Sequence, residues 1–116
     1  MTDRDHLLEL GAAALAAGHW LAAHEHWEQA WRRTGPDDRH AVQALAQFAA
    51  ALVHLSRGRP RGAARVLAKA QRKLSQPGTP DTLGPIDLAS VRRQLDRLSD
   101  DLDAGRTPDL AAIRIA

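Results

Sequence analysis

The chain has 116 residues, 44% of them hydrophobic and 26% charged, and a net charge of +2; this is enough for one domain, residues 1–116, with a modest core. It has no cysteine, which excludes disulfides and thiolate chemistry. The opening residues, MTDRDHLLEL, lack the layout of a signal peptide, and the longest apolar run, residues 41–55, holds two glutamines and a histidine and is too short for a bilayer span. A cytoplasmic protein with no membrane contact is expected.

Charge is unevenly spread. Residues 1–38 carry three basic and seven acidic side chains, residues 39–80 eight basic and no acidic ones, and residues 81–116 five and seven. The simplest expectation is that the basic middle neutralises its acidic flanks within one fold. The alternative is that it meets a polyanion.

In chain order, Thr2 can cap a first helix, with Asp3 and Asp5 favourable to its dipole. Leu7, Gly11, Ala14 and Leu15 form its apolar stripe, and the run of small residues from Gly11 to Ala14 admits a close neighbour. The helix ends near Ala17, followed by the C-terminal glycine Gly18. The second helix, GHWLAAHEHWEQAW and on to about Arg33, holds all three tryptophans. At about 100° per residue, Trp20, Trp27 and Trp31 share one face with Ala23 and Ala30. His24 falls among them and Glu28, four residues on, beside them. Glu25 lies further round, and His26, Gln29 and Arg33 face solvent. A buried imidazole and carboxylate need partners, so this stretch is the focus of the chain.

Thr34-Gly35-Pro36 breaks the chain, and a third helix is expected from Pro36 or Asp37. Residues 41–55 are apolar on nearly every side, as in the central helix of a bundle. Gln43, Gln47 and His54 form one narrow polar stripe on it, complementary in chemistry to His24 and Glu28. A turn at residues 56–60 leads to a fourth helix with Pro60 at its first position. Ala63, Leu67, Ala70 and Leu74 face inward; Arg61, Arg65, Lys69, Arg72 and Lys73 cover the outside. Residues 76–85 read as a loop. The C-terminal helix, residues 86–104, packs through Leu88, Val91, Leu95, Leu98 and Leu102, with Arg92–Asp96 and Arg97–Asp101 as charge pairs on its wet face. The tail, residues 105–116, packs through Leu110, Ile113 and Ile115.

A weak internal repeat maps Gly18, Ala23, Trp27 and Ala30 onto Gly58, Ala63, Leu67 and Ala70. Two stacked helical hairpins would explain it. The expected fold is all-α: a single small bundle of about five helices, with its core in residues 3–75, built from two stacked hairpins plus a C-terminal helix.

These residues resemble the domain of unknown function 309 family. The matching positions are Gly18, Trp20, Ala23, His24, Glu25, Trp27, Glu28 and Trp31, then Gln43, Gln47, His54, Arg57, Gly58, Gly62, Ala63 and Leu67, within residues 4–75. The resemblance implies a small all-α fold and no activity. Arg59 replaces the asparagine often found before the proline, which implies a weaker helix cap. Ala44 stands where glycine is usual, which affects helix approach.

Three functional readings follow. In the first, His24, Glu25, Glu28, Gln43, Gln47 and His54 form a buried polar cluster among Trp20, Trp27 and Trp31 that fixes helix packing. The protein is then a non-catalytic binding or interaction module, without a cofactor, whose partner is another protein or a second copy. In the second, His24, Glu28 and His54 hold a metal ion for hydrolysis. Glu25 is the alternative to His54 as the completing ligand. The match is poor, because Glu28 stands where a zinc protease of the HExxH type needs its second histidine. Without a metal, Glu25 or Glu28 with His24 would be an acid–base pair, but no nucleophile or oxyanion donor is apparent. In the third, Arg57, Arg59, Arg61 and Arg65 bind phosphate or nucleic acid at the start of the fourth helix. His6, His19, His26 and His40 are read as solvent or interface residues. The first reading is preferred.

Overall fold

A computed structural model describes residues 2–113. The helices are α1 (Asp3–Ala16), α2 (Trp20–Arg32), α3 (Arg39–Ser56), α4 (Pro60–Leu74) and α5 (Leu88–Asp103). Two short strands, β1 (Thr82–Leu83) and β2 (Ile86–Asp87), lie between α4 and α5, and a 3-10 turn follows at Leu110–Ala112. Each helix packs against the next in a serial stack. The all-α bundle of five helices is therefore the observed architecture.

At the start of α1, the Thr2 hydroxyl oxygen accepts from the Asp5 amide at 3.1 Å. Arg4 bridges Asp5 at 2.9 Å and Asp38 at 3.1 Å, tying α1 to the turn before α3. Its hydrogen bond holds the Asp5 carboxyl below the usual range, against the opposing effect of burial. The buried side of α1 is Leu8, Gly11 and Leu15. That corrects the expected stripe: Leu7 and Ala14 are only half-buried. The sequence of α1 is apolar on several sides, and Trp27 sets its rotation. The Trp27 indole N–H donates to the Leu8 carbonyl at 3.1 Å. A Cβ on Gly11 would overlap the same indole.

The two hairpin turns are built alike. Gly18 and Gly58 take φ of 78° and 69°, in the left-handed region that a Cβ disfavours. Gly18 N–H donates to Leu15 O and His19 N–H to Ala14 O; Gly58 and Arg59 repeat the pattern on Leu55 O and His54 O. These are paired helix-ending bonds of the Schellman type. The sequence repeat is thus also a structural one. Arg59 makes no side-chain cap bond to α4, as its substitution for asparagine implied.

α3 is the centre, with Val42, Leu45, Phe48 and Leu52 all fully buried. It starts at Arg39 rather than at Pro36 or Asp37, because residues 36–38 form a turn. Ala44, where the family pattern has glycine, is fully buried. Ala63, Leu67, Ala70 and Leu74 of α4 are buried as expected.

Residues 82–87, expected as loop and helix, form a hairpin instead. Thr82 pairs with Asp87 and Leu83 with Ile86. Asp87 then accepts from the Ser90 amide at 3.0 Å and caps α5, so the helix begins at Leu88 rather than near residue 86. The charge pairs expected on α5 are also replaced. Arg92 reaches back to Asp81 at 2.8 Å and donates to the carbonyls of Leu74, Thr79 and Pro80. Asp96 instead accepts from Gln71 of α4 at 2.9 Å, and Asp101 pairs with Arg106 at 3.0 Å. Arg92 and Asp96 take tertiary partners and Asp101 takes one just past the helix end, and an exposed i,i+4 pair contributes only about 0.3–0.5 kcal/mol.

In the tail, Ile113 is buried and Leu110 half-buried. Ile115 and the end of the expected tail at Ala116 lie outside the described residues. Among the described residues, no helix is long and apolar enough to cross a membrane.

Candidate functional site

The hairpin stack leaves a groove where α2 of the first hairpin meets α3 of the second. Small residues make it possible: Ala46 and Ala50 of α3, four apart, give no bulk on that side. The remaining lining is His24, Glu28 and Trp31 from α2 with Gln43 and Gln47 from α3, around a cavity of about 180 Å³. The structure therefore brings together the two complementary polar stripes, as their positions on facing helices predict.

The groove is open, which corrects the expectation of a buried cluster. The His24 and Glu28 side chains are 29% and 43% exposed, with Nε2 and Oε2 3.7 Å apart. Trp31 is half-buried and carries the Arg39 guanidinium 4.3 Å from its ring centroid. One polar atom of the lining residues, Gln47 Oε1, is buried and has no hydrogen-bond partner. Such an atom costs about 1–3 kcal/mol if left unmet.

Four of the residues expected at the cluster lie elsewhere. Glu25 is exposed. Trp27 is wholly in the core, under Gly11. His54 packs its ring on Gly62 of α4, where a Cβ would stand 2.8 Å from Nδ1, and that nitrogen is buried without a partner. His54 points away because it lies seven residues beyond Gln47. That is two turns along the helix, so the shared stripe carries it past the end of the groove. Trp20, half-buried, lines a different cavity with Leu15, Gly18 and Leu110. Ala46 and Ala50 were missed in the sequence, although two alanines interleaved with Gln43 and Gln47 are the signal of a groove floor.

Chemically, the groove presents an imidazole, a carboxylate, two amides and an aromatic edge. None of its lining side chains is a hydroxyl, thiol or amine nucleophile. Among the described residues, no three His, Asp or Glu side chains are placed to hold a metal ion. His24, Glu28 and His54 do not converge.

The basic middle of the chain is not neutralised by contact. Among the described residues, ion pairs join Arg4 to Asp5 and Asp38, His24 to Glu28, Arg92 to Asp81 and Arg106 to Asp101. None involves a residue between 39 and 80. Arg57, Arg59, Arg61 and Arg65 are all exposed.

A family model described as a domain of unknown function (DUF309) matches residues 8–66, just over half of the chain and inside the stretch that carries the sequence resemblance. No curated protein and no solved structure matches significantly.

Proposed function

The chain belongs to the family of domains of unknown function DUF309, and from that premise we propose that it is a non-catalytic helical-hairpin module that binds a protein partner in the groove between α2 and α3. The observation that carries this reading is the open groove lined by His24, Glu28, Trp31, Gln43 and Gln47, with the Gln47 Oε1 buried at its wall and without a partner in the protein. A partner side chain that donates a hydrogen bond there would satisfy an acceptor the chain itself leaves unmet. Size favours a side chain over a substrate. The cavity of about 180 Å³ falls below the usual small-molecule range of about 300–1,000 Å³. The lining holds no hydroxyl, thiol or amine nucleophile, which favours binding over acyl transfer through such a group.

The test is capture of partners by the wild type and by a groove-filled variant, Ala50→Leu, whose larger side chain points at the cavity. A partner retained by the wild type and lost by the variant, at equal thermal stability, supports the reading. Equal capture by both overturns it. The metal-hydrolase alternative has its own readout. A stoichiometric metal in the purified protein that is lost in both His24→Ala and Glu28→Gln would replace the present reading.

A further inference from the structure

The outward side of α4 is a second surface, separate from the groove. With Ala63, Leu67, Ala70 and Leu74 against the core, Arg61, Arg65, Lys69 and Arg72 fall opposite, within about 80° of arc. All four are exposed. At the α-helical rise they form a line about 16 Å long. Arg57 and Arg59 stand exposed in the turn before it. Among the described residues, none of these six cations has a carboxylate within ion-pair distance. They keep their full charge for an outside partner.

We propose that this face docks the sugar–phosphate backbone of a nucleic-acid duplex without reading its sequence. Charge complementarity names the partner class. The rest of the face selects within it. A lipid surface would need apolar residues to insert beside the cations. Among the described residues, the exposed large hydrophobic ones are Leu10 and Leu21, on α1 and α2, whereas α4 offers only Ala64 and Ala68 between its cations. An acidic protein would want an aromatic or aliphatic anchor at the centre of the contact, and the stripe has none. A single strand would want aromatic rings on which to stack its bases; Trp20 and Trp31 are half-buried on α2. Reading base edges takes amides or bidentate arginines set into a groove. Gln71, the single amide of α4, is turned to Asp96 of α5. What remains is contact with phosphates, which positions a protein but carries no sequence information.

The experiment is fluorescence anisotropy of labelled 30-base-pair duplexes of two unrelated sequences, titrated with the full chain between 50 and 200 mM salt. About four phosphate contacts predict a log–log salt slope near −3.6, or a roughly 100-fold loss of affinity across that range. Both duplexes should bind alike. Arg61→Gln/Arg65→Gln/Lys69→Gln should flatten the slope to about −1, and Arg93→Gln/Arg97→Gln, which removes charge from α5, should leave more of it. Circular dichroism and melting verify that both variants are folded. The proposal is overturned by a wild-type slope shallower than −1, or by a triple variant that binds like the wild type. It is overturned equally by tighter binding to a single strand or to phosphatidylserine vesicles than to the duplexes.

Discussion

Gly11 lacks a side chain where the Trp27 indole needs the room. The same indole donates to Leu8 O, one turn back on α1. A single aromatic ring thus fixes both the separation of α1 from α2 and the rotation of α1. Gly11→Ala is expected to destabilise the protein by about 1–3 kcal/mol, since overpacking against a rigid ring must move a helix. Urea denaturation measures this. Adding Trp27→Phe should recover part of the loss, because the smaller ring relieves the overlap; strict additivity of the two changes would show that they do not meet. Gln47 and His24 make the opposite point. Their side chains are held at a groove by residues too small to cover them.

Among the elements, the segment from Ser75 to Asp87 is organised by a side chain outside it. Arg92 donates to two of its carbonyls, at Thr79 and Pro80, and to that of Leu74 at the end of α4, and it pairs with Asp81. His40 adds a contact at 2.9 Å from Nε2 to the Thr79 hydroxyl. Arg92→Ala should cost about 1–3 kcal/mol and raise amide exchange across residues 75–83. Arg92→Lys should rescue little, because one ammonium cannot reproduce the planar fork of donors. Asp96→Ala should have a small effect. An equal loss in Asp96→Ala and Arg92→Ala would restore the helical pair that the structure replaces.

Over the whole molecule, α5 packs against α4 as the last helix of the stack. Leu88, Val91, Leu95 and Leu98 are buried there. Leu95→Ala is expected to cost about 2–4 kcal/mol, the usual loss for a buried leucine. Unfolding should remain a single transition, seen alike by far-ultraviolet circular dichroism and by the fluorescence of the three tryptophans, all on α2. Non-coincident curves would mean that α5 melts alone as a separable cap.

Much of this architecture was legible in the chain. Gly18 and Gly58 marked both hairpin turns because each turn needs a positive φ. The alternation of Ala63, Leu67, Ala70 and Leu74 with five cations placed α4 in register, since those cations have no low-energy position inside. His24, Glu28, Gln43 and Gln47 were found as facing stripes because helical spacing is local geometry. What local geometry leaves open is how far apart two helices sit and what lies between them. Whether those stripes would be sealed or open depended on Ala46 and Ala50. Whether α1 would present Leu7 or Leu8 depended on Trp27. Whether Arg92 would turn to Asp96 or to Asp81 depended on a hairpin of two-residue strands, too short to show a period. Helix type, turns and charge pattern come from each residue and its neighbours a few positions away, so the sequence by itself determined them. The open groove and the unpaired cations depend on contacts between residues distant in the chain, and only the tertiary structure decided those.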